Sequence, residues 1–431
     1  MTGAFGGPHD FCEPVSAIIE GMGTPTVTVL RFEEARALVE QHAAKVRATE
    51  AEPVEIGYAA GRVLAEPLLA DRDFPPFPRS ARDGYAVRAV DLARLPVQLK
   101  IIGESKAGAA PDTLPARVGG GEAVVIMTGA PAPPGADAVV MVEYTARQGD
   151  SVEIQKGVAA GENIVARGSE GRTGAMLLQR GERLGAAGIA LAASVGKSTL
   201  LVHALPRVAI LATGDEIVDI AATPGPSQIR NSNSYSLAAQ ARAAGGLPVL
   251  LPIAPDESAQ LGRLIEQGLT ADLLLLAGGV SMGKYDLVEQ ALGELGAEFF
   301  FTGALIQPGR PVVFGRVREK YFFGLPGNPV STMVTFELFA RPLLEALGGA
   351  TPRPLAFFAV RLKREIKVRR GLTRFLPGLL TGQLGEVKVE LAPWQGSGDI
   401  AGAARSNCYV VIPPDRERIA AGEMVAVWMK N

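Results

Sequence analysis

Short apolar strands and helices alternate without interruption through the second half of the chain, and this rhythm restricts the fold more than any other feature. From Arg207 onward the pattern predicts strands at residues 208–212, 247–253, 272–277 and 297–301, and helices at residues 234–244, 258–267 and 286–295. A hairpin formed by residues 311–317 and 321–324 and a long helix at residues 329–347 follow. Such alternation is typical of a largely parallel sheet covered by helices, so we predict an α/β domain here.

The regions on either side of this segment show other patterns. Residues 71–158 hold short strand-like runs separated by proline and glycine clusters, which predicts a small β domain. We predict an amphipathic helix at residues 31–48 and a short helix at residues 188–193. If the segment around the second helix packs on the first, the β domain is an insertion between two halves of one element. Residues 355–431 predict a small β-barrel or sandwich.

The charge balance and the cysteine content argue against several classes of protein. The 43 Lys and Arg residues against 45 Asp and Glu residues give a net charge of −2, whereas a dedicated nucleic-acid-binding protein usually has a strong basic excess. Cys12, Cys408 and three histidines do not form a zinc motif. The sequence shows no secretory signal and no membrane-length apolar stretch. We therefore expect a cytoplasmic protein that binds neither membranes nor nucleic acids.

Four polar motifs follow predicted strands of the α/β segment. They are TGDE at 213–216, Asp256-Glu257, GGVSMG at 278–283 followed by Asp286, and LPGNP at 325–329, and Asn231-Ser232 adds a helix N-cap on the same edge. In an open parallel sheet, ligands bind beyond the carboxyl ends of the strands. We expect these motifs to meet in one cleft.

Each motif alone has an ordinary structural explanation as a turn, a tight strand exit or a helix cap. Together they favour a ligand site, because helix N-termini bind phosphate and glycines let backbone N–H groups approach it closely. Two or three carboxylates nearby suit Mg²⁺. The sequence has no Walker A motif and no GxGxxG motif after a strand. These residues predict a Mg²⁺-dependent site for a phosphorylated or nucleotide-bearing ligand.

Seven motifs, in this order, give the chain a resemblance to a known family. They are SARDGYAV (80–87), MTGAP (127–131), ADAVV (136–140), TGDE (213–216), GGVSMG (278–283), QPGRP (307–311) and LPGNPVS (325–331). The ordered set resembles that of the molybdopterin molybdenumtransferases, the MoeA family, to which the gephyrin E domain is related. The resemblance covers nearly the whole chain from Arg31.

The resemblance implies a multidomain α/β plus β fold. The expected parts are a flexible arm (1–24), a helical linker domain in two segments (25–70 and 159–205), an inserted β domain (71–158), a molybdopterin-binding α/β domain of the MoaB/Mog type (206–348) and a C-terminal β-barrel (349–431). It also implies a homodimer whose cleft lies between the α/β domain of one subunit and the β parts of the other. Molybdopterin adenylyltransferase and apo-molybdoenzymes are the further partners it suggests.

The reaction that the resemblance implies uses adenylyl-molybdopterin and molybdate as substrates and Mg²⁺ as cofactor. Molybdenum enters the dithiolene, the phosphoanhydride is hydrolysed, and AMP and molybdenum cofactor leave.

The resemblance also implies a role for each matching residue. Asp215, Asp256 and Asp286 would hold Mg²⁺ and position the pyrophosphate or the attacking water. Arg310 would bind an oxyanion, and Asp83 and Thr128 of the β domain would form a second catalytic wall. The pterin and phosphate groups would contact Thr213, Gly214, Glu216, Asn231, Ser232, Gly278, Gly279, Ser281, Gly283, Pro326, Gly327, Asn328 and Ser397. For Ser397, a flexible Gly-Ser loop is an equally good explanation.

The chain departs from the family pattern at the end of the cleft expected to bind molybdate. Gly188 stands where many relatives carry glutamate, Gln307 where lysine is usual, and Leu372 and Pro377 where arginines are common. A dianion needs compensating charge to leave water. The departures therefore predict weakened oxyanion binding, which Gln307→Lys would strengthen.

Three alternatives to a molybdate-inserting enzyme stay open. One is a paralogue that binds or carries molybdopterin or the finished cofactor, or that inserts tungstate. Another is a dimeric scaffold similar to the gephyrin E domain. A hydrolase that reuses the α/β domain, as CinA-like proteins do, is disfavoured by the motif at residues 80–87 and by the C-terminal β segment.

Overall fold

The computed structural model describes residues 28–108, 110, 115, 117–279, 287–383 and 385–430. These residues form two compact units, of which the first takes the chain before Pro53 and from His203 onward, and the second takes residues 53–202. Among the described residues, no helix combines the length and the apolar character needed to cross a membrane. The predicted arm at residues 1–24 lies outside the described residues, and the cytoplasmic location stays a prediction.

The helices are α1 Phe32–Ala43, α2 Ala186–Ser194, α3 Asn233–Ala243, α4 Ser258–Gly268, α5 Leu287–Glu294, α6 Pro329–Thr335, α7 Arg341–Leu347 and α8 Ile400–Arg405. A π-helical turn, Phe336–Ala340, joins α6 to α7, so the long helix predicted at residues 329–347 is confirmed. The strands as far as His203 are β1 Val29–Leu30, β2 Ala51–Glu55, β3 Leu68–Leu69, β4 Arg79–Ser80, β5 Gly84–Val87, β6 Val97–Ser105, β7 Glu122–Ile126, β8 Ala138–Met141, β9 Thr145–Gln148, β10 Ser151–Ile154, β11 Ile164–Val165, β12 Met176–Leu178 and β13 Thr199–His203.

The main body of the second unit is a six-stranded sheet in the order β8-β5-β7-β6-β10-β9. One face of the sheet packs into a core in which Tyr85 and Val87 of β5 meet Leu99, Val140 and Val152. The alternate residue Ala86 and its neighbour Val139 pack into a second core, so the two sets of side chains occupy opposite faces of the sheet. The strand runs separated by proline and glycine were correctly predicted to form a β domain.

The rest of the second unit is less helical than the sequence suggested. Outside the main sheet, β12 pairs with β3 and β11 pairs with β4, and α2 is the sole α-helix that the structure describes between residues 53 and 202. Helix α1 lies in the first unit, where Phe32, Ala35 and Val39 share a core with Phe339 and Leu343. The domain boundaries given above stay a prediction.

The later strands belong to the first unit. They are β14 Arg207–Ala212, β15 Ile217–Val218, β16 Ile229–Arg230, β17 Leu247–Leu250, β18 Leu273–Ala277, β19 Glu298–Phe301, β20 Gly303–Ala304, β21 Ile306–Gln307, β22 Val313–Val317, β23 Lys320–Leu325, β24 Phe358–Leu362, β25 Ile366–Lys367, β26 Thr373–Thr381, β27 Lys388–Leu391, β28 Cys408–Ile412, β29 Arg418–Ile419 and β30 Met424–Met429.

A six-stranded sheet in the order β17-β14-β18-β23-β22-β19 forms the centre of the first unit. The first four strands are parallel to one another. Strand β22 runs antiparallel to both of its neighbours, β23 and β19. Apolar cores cover both faces, which explains why these strands are continuously hydrophobic rather than alternating. The predicted α/β fold is confirmed, and the register aligns Ala212, Ala277 and Leu325 at the carboxyl edge.

The C-terminal region is a closed barrel in which β26, β27, β24, β30 and β28 pair in sequence and β28 returns to β26. Strand β21 pairs with the first two residues of β26, on the edge of β26 opposite β28. The interior is packed by Leu362, Leu376, Val389, Val410 and Val427. The barrel confirms one of the two predicted architectures. Sequence analysis missed β26 itself, because Pro377 and Gly378 interrupt it and both residues are uncommon inside strands.

Candidate functional site

The polar motifs predicted to meet do so at the carboxyl edge of the central sheet. Their strands end side by side at Ala212, Ala277 and Leu325, and a cleft of about 1110 Å³ opens beyond them. The predicted residues that line it are Thr213, Glu216, Asn231, Ser232, Asp256, Gly278, Gly279, Pro326, Gly327 and Asn328. Part of the cleft wall is apolar and is formed by Ile217, Ile229 and Ile400. The cleft can therefore accept a ligand that has both a ring system and charged groups.

Thr213 forms the floor of the cleft. Its backbone N–H donates to Ala277 O at 3.1 Å, and the next residue, Gly214, donates to Ala254 O at 3.1 Å. The side chain is only 3% exposed, yet its Oγ1 has no hydrogen-bond partner. A buried hydroxyl left unpaired costs about 1–3 kcal/mol, so this group is poised to bond a ligand.

The two glycines after β18 make room for that hydroxyl. Gly278 and Gly279 have φ of +96° and +64°, values that residues with a Cβ rarely adopt. A Cβ on Gly279 would lie 2.6 Å from Thr213 Oγ1. The turn therefore requires glycine for its backbone angles and for the space above Thr213. The next predicted residues, Ser281, Gly283 and Asp286, lie outside the described residues.

Asp215 and Asp256 are held together at one side of the cleft. The backbone N–H of Asp256 donates to Asp215 Oδ1 at 3.1 Å, and both carboxylates are exposed. No group of three or more His, Cys, Asp or Glu side chains able to hold a metal occurs in the described ranges. Two carboxylates still fit Mg²⁺, which takes few protein ligands and completes its shell with water and substrate phosphate oxygens.

The N-termini of two helices face the cleft. At the start of α3, Asn231 Oδ1 accepts from Ser234 N at 3.1 Å, while Asn233 Nδ2 donates to Gly327 O at 2.7 Å. The Oδ1 atom of Asn233 is buried without a partner. Helix α6 begins after Asn328 with Pro329 in its first turn. Free N–H groups at such positions attract anions. Sequence analysis missed Asn233, although its position beside the predicted cap Ser232 was a usable signal.

The two glycine-containing loops touch each other. The N–H of Gly278 donates to Leu325 O at 3.1 Å, and a Cβ on Gly327 would lie 3.6 Å from Gly278 Cα. The hydroxyl of Thr332 donates to Pro326 O and so fixes the loop to α6. The motifs after β18 and β23 therefore form one continuous backbone surface.

Ser397 and Arg310 lie on two loops beside this surface. The carbonyl of Ser397 accepts from Val330 N at 3.0 Å, so the loop rests on the first turn of α6, and its neighbour Gly398 lines the cleft. Arg310 is exposed, and its carbonyl accepts from Ala304 N and Val312 N, both at 3.0 Å. The residue after it, Pro311, lines the cleft.

Three of the residues that depart from the family pattern, Gln307, Leu372 and Gly188, contact identifiable neighbours. Gln307 accepts a hydrogen bond through Oε1 from Arg374 Nε at 2.8 Å, and Leu372 O accepts one from Arg374 Nη1 at 3.1 Å. Sequence analysis missed Arg374, because nothing in the local pattern links residues that are 67 positions apart in the chain. A Cβ on Gly188 would meet side-chain atoms of Leu184 and Leu178 at 3.3 and 3.4 Å.

Asp83 and Thr128 lie together within the second unit. The N–H of Thr128 donates to Asp83 Oδ1 at 2.6 Å, and both residues are exposed. Strands β5 and β7 bring them together, because Gly84 pairs with Ile126. Their role in a reaction stays a prediction.

Comparisons with known proteins agree along the chain. Residues 30–196 match the model described as "MoeA N-terminal region (domain I and II)", residues 209–346 match "Probable molybdopterin binding domain", and residues 359–430 match "MoeA C-terminal region (domain IV)". The molybdopterin molybdenumtransferase of Nostoc sp. is 35% identical over 389 residues, which is 88% of each chain. That of Bacillus subtilis is 33% identical over 388 residues, which is 88% of this chain and 89% of the relative.

Solved structures give the same result. A molybdopterin biosynthesis MoeA protein from Pyrococcus horikoshii OT3 is similar with a TM-score of 0.73 and 29% identity, covering 93% of this chain and 100% of that one. A second MoeA structure from the same species is similar with a TM-score of 0.67 and 33% identity, covering 94% of this chain and 100% of that one.

Proposed function

The chain belongs to the MoeA family of molybdopterin molybdenumtransferases, and on that premise we propose that it inserts molybdate into adenylyl-molybdopterin in a Mg²⁺-dependent reaction that releases AMP. As a family member it is a transferase of molybdenum cofactor biosynthesis. The observation that carries the proposal is the cleft, in which the exposed carboxylate of Asp256, bonded through its backbone N–H to the neighbouring Asp215, lies beside glycine turns and two helix N-termini.

The phosphate and pterin groups of the substrate bind, in this proposal, along the backbone surface of the two glycine-containing loops. The N-terminus of α3 supplies N–H donors to phosphate oxygens. Thr213 Oγ1 and Asn233 Oδ1, both buried and unpaired, supply the polar contacts that orient the ligand. The isoleucine wall formed by Ile217, Ile229 and Ile400 excludes water from a flat ring.

Asp215 and Asp256 would hold Mg²⁺, with Asp286 as the third predicted ligand. When bound, the cation neutralises charge that develops on the phosphoryl oxygens. Asp215 also stabilises the protein, because its Oδ1 accepts a hydrogen bond from the N–H of Asp256 and so fixes the loop that contains Asp256. Within the described residues, no hydrogen bond involves the carboxylate of Asp256, so its oxygens remain open to a ligand.

The Mg²⁺ dependence of AMP release tests this proposal. Asp256→Asn keeps the backbone N–H that bonds Asp215 but removes the charge, so the variant should need at least tenfold more Mg²⁺ for half-maximal release. Asp219→Asn is the matched control, since Asp219 is an exposed acid that does not line the cleft. Equal Mg²⁺ requirements in all three proteins would contradict the metal assignment.

A carrier of molybdopterin or finished cofactor is the second candidate. The neutral side chain of Gln307 favours it, because this position would offer a dianion no charge of its own. Insertion of tungstate in place of molybdate is compatible with the same cleft, since both are tetrahedral dianions.

We propose further that the chain forms a homodimer, which sedimentation at micromolar concentration would test. Contacts with molybdopterin adenylyltransferase or with apo-molybdoenzymes fit a role in handing on a bound cofactor. A monomer in sedimentation would contradict the dimer.

A further inference from the structure

Arg374 carries a buried positive charge without a carboxylate partner. The residue is only 6% exposed, and no ion pair in the part of the chain that the structure describes includes it. Its hydrogen bonds go to two neutral acceptors, Gln307 Oε1 and Leu372 O. Burial lowers the pKa of the guanidinium, with no opposing charge nearby to raise it.

Two other arginines of the same unit, one buried and one half-buried, are paired with carboxylates. Arg36, 8% exposed, pairs with Glu40 at 2.6 Å. Arg341 lies between Glu337 at 2.7 Å and Glu345 at 3.0 Å. Buried charges are normally paired because leaving water without a partner costs much free energy. Arg374 is therefore a site where the fold keeps a charge ready for an anion that is not part of the chain.

Arg374 is connected to the cleft through β21, although neither Arg374 nor Gln307 lines the cleft itself. It stands opposite Gln307 in the parallel pairing of β21 with β26, and β21 leads within a few residues to Arg310 and to Pro311, which lines the cleft. Along β26, Arg374 has the same orientation as Leu376, which packs inside the barrel. The guanidinium therefore belongs to the inner face of β26, near the first residue of that strand, and it bonds the exposed side chain of Gln307.

The hydrogen bond from Arg374 also fixes which way the Gln307 amide points. A guanidinium has donors and no acceptor, so the amide must turn Oε1 toward Arg374. Its Nε2 group, with two donors, is then left for the exposed side, where Gln307 reaches solvent. A glutamine locked in this way presents donors to a ligand, next to a buried cation.

We propose that Arg374 and Gln307 together form the oxyanion contact of this protein, with Arg374 as the positioning residue and source of charge and Gln307 as the group that donates to the anion. The inference rests on the proposed function for the identity of the anion, a tetrahedral dianion such as molybdate. The positive charge that the side chain at position 307 does not carry is supplied by Arg374 on the paired strand β26.

The test is the binding of molybdate to the full chain without pterin, by calorimetry at constant ionic strength. Gln307→Glu pairs with Arg374, cancels its charge and presents acceptors, so it should weaken molybdate binding roughly ten- to hundredfold. Arg374→Gln should weaken it to a similar degree. Arg361→Gln removes an equal charge from an exposed position of the same barrel and should leave the dissociation constant unchanged.

The melting temperature separates binding from a purely structural role. Gln307→Glu should melt at a temperature no lower than that of the unchanged chain, because it keeps the Arg374 contact as an ion pair. Its molybdate affinity therefore tests the proposed contact even if Arg374→Gln fails to fold. Equal molybdate affinities in the unchanged chain and Gln307→Glu would overturn the inference, as would an unchanged chain that does not bind molybdate saturably.

The same titration separates this inference from the proposed reaction. A chain that binds molybdate with the expected variant pattern but releases no AMP supports the Arg374 site and contradicts the transferase reaction. A chain that releases AMP while Gln307→Glu binds molybdate normally overturns the Arg374 site alone.

Discussion

Single residues in the cleft keep buried polar atoms unpaired in the free protein. Thr213 keeps a buried hydroxyl unpaired, and Gly279 adopts a positive φ that leaves room for it. A buried hydroxyl without a partner is uncommon in a region that serves only packing. We propose that a bound ligand supplies the missing partner of Thr213.

Thr213→Val removes the hydroxyl and keeps the shape of the side chain. Because the hydroxyl has no partner in the free protein, we expect the free energy of unfolding to stay the same or to rise by up to about 1 kcal/mol. Affinity for adenylyl-molybdopterin should fall roughly tenfold, since the ligand loses a buried hydrogen bond. Thermal unfolding and equilibrium binding measure the two effects. A variant that is clearly less stable would show that Thr213 already has a partner.

His42 makes part of the first unit sensitive to acid. Its ring lies 4.0 Å from that of Phe300 between centroids, and Nδ1 is 3.2 Å from Tyr321 Oη. Burial, followed by the charges of Lys45 and Arg316, lowers the pKa of this histidine below 6.5, and Glu298 opposes the shift. The unfolded chain therefore binds a proton at a higher pH than the folded chain does, so stability is lost as the pH falls below about 6.5.

His42→Phe should remove this part of the pH dependence. The substitution keeps an aromatic ring and removes the titrating group. We expect the free energy of unfolding to fall less between pH 7 and pH 5 in the variant than in the unchanged chain, measured by denaturant unfolding at each pH. Parallel curves for the two proteins would show that His42 does not contribute.

At the scale of elements, the parallel pairing of β14, β18 and β23 creates the cleft. The register places the last residues of the three strands side by side, so motifs separated by more than a hundred residues in sequence share one edge. The glycine turn after β18 contacts the loop before α6. The geometry of one turn therefore controls the backbone surface on which a phosphate would lie.

Gly279→Ala should disrupt that turn. A Cβ there meets Thr213 Oγ1 and Val288 Cγ2, each at 2.6 Å, on a backbone with φ of +64°. We expect a loss of about 2–4 kcal/mol in the free energy of unfolding, from the left-handed conformation and the overlap together. Gly327→Ala is the matched control in the partner loop, since its Cβ would meet only Gly278 Cα at 3.6 Å, and it should change stability by less than about 0.5 kcal/mol. Similar losses in the two variants, measured by denaturant unfolding, would contradict the steric account.

The elements that could be predicted from sequence are those whose pattern is local. The strands β14 and β18 were predictable because they are short, apolar and followed by polar motifs, and the cleft followed from the rule that parallel strands share a carboxyl edge. Strand β26 was not, because Pro377 interrupts its pattern. The Arg374–Gln307 contact depends on the pairing of β21 with β26, which no local signal encodes.

At the scale of the whole molecule, each of the two units has its own sheet and its own apolar core. The first unit contains both features for which we propose ligand contacts, the cleft and the Arg374–Gln307 pair. The second unit contains the exposed pair Asp83 and Thr128, fixed to each other by a short hydrogen bond. The family models match residues in both units, so both units belong to one transferase.

The most direct test of that account is single-turnover release of AMP from adenylyl-molybdopterin by the full chain. We predict that AMP appears in an amount equal to the bound substrate when molybdate and Mg²⁺ are both present, and that omitting either one suppresses it. Tungstate in place of molybdate shows whether the site distinguishes the two dianions. Tight binding of adenylyl-molybdopterin with no AMP release at any molybdate or tungstate concentration would contradict the transferase account and identify the protein as a carrier.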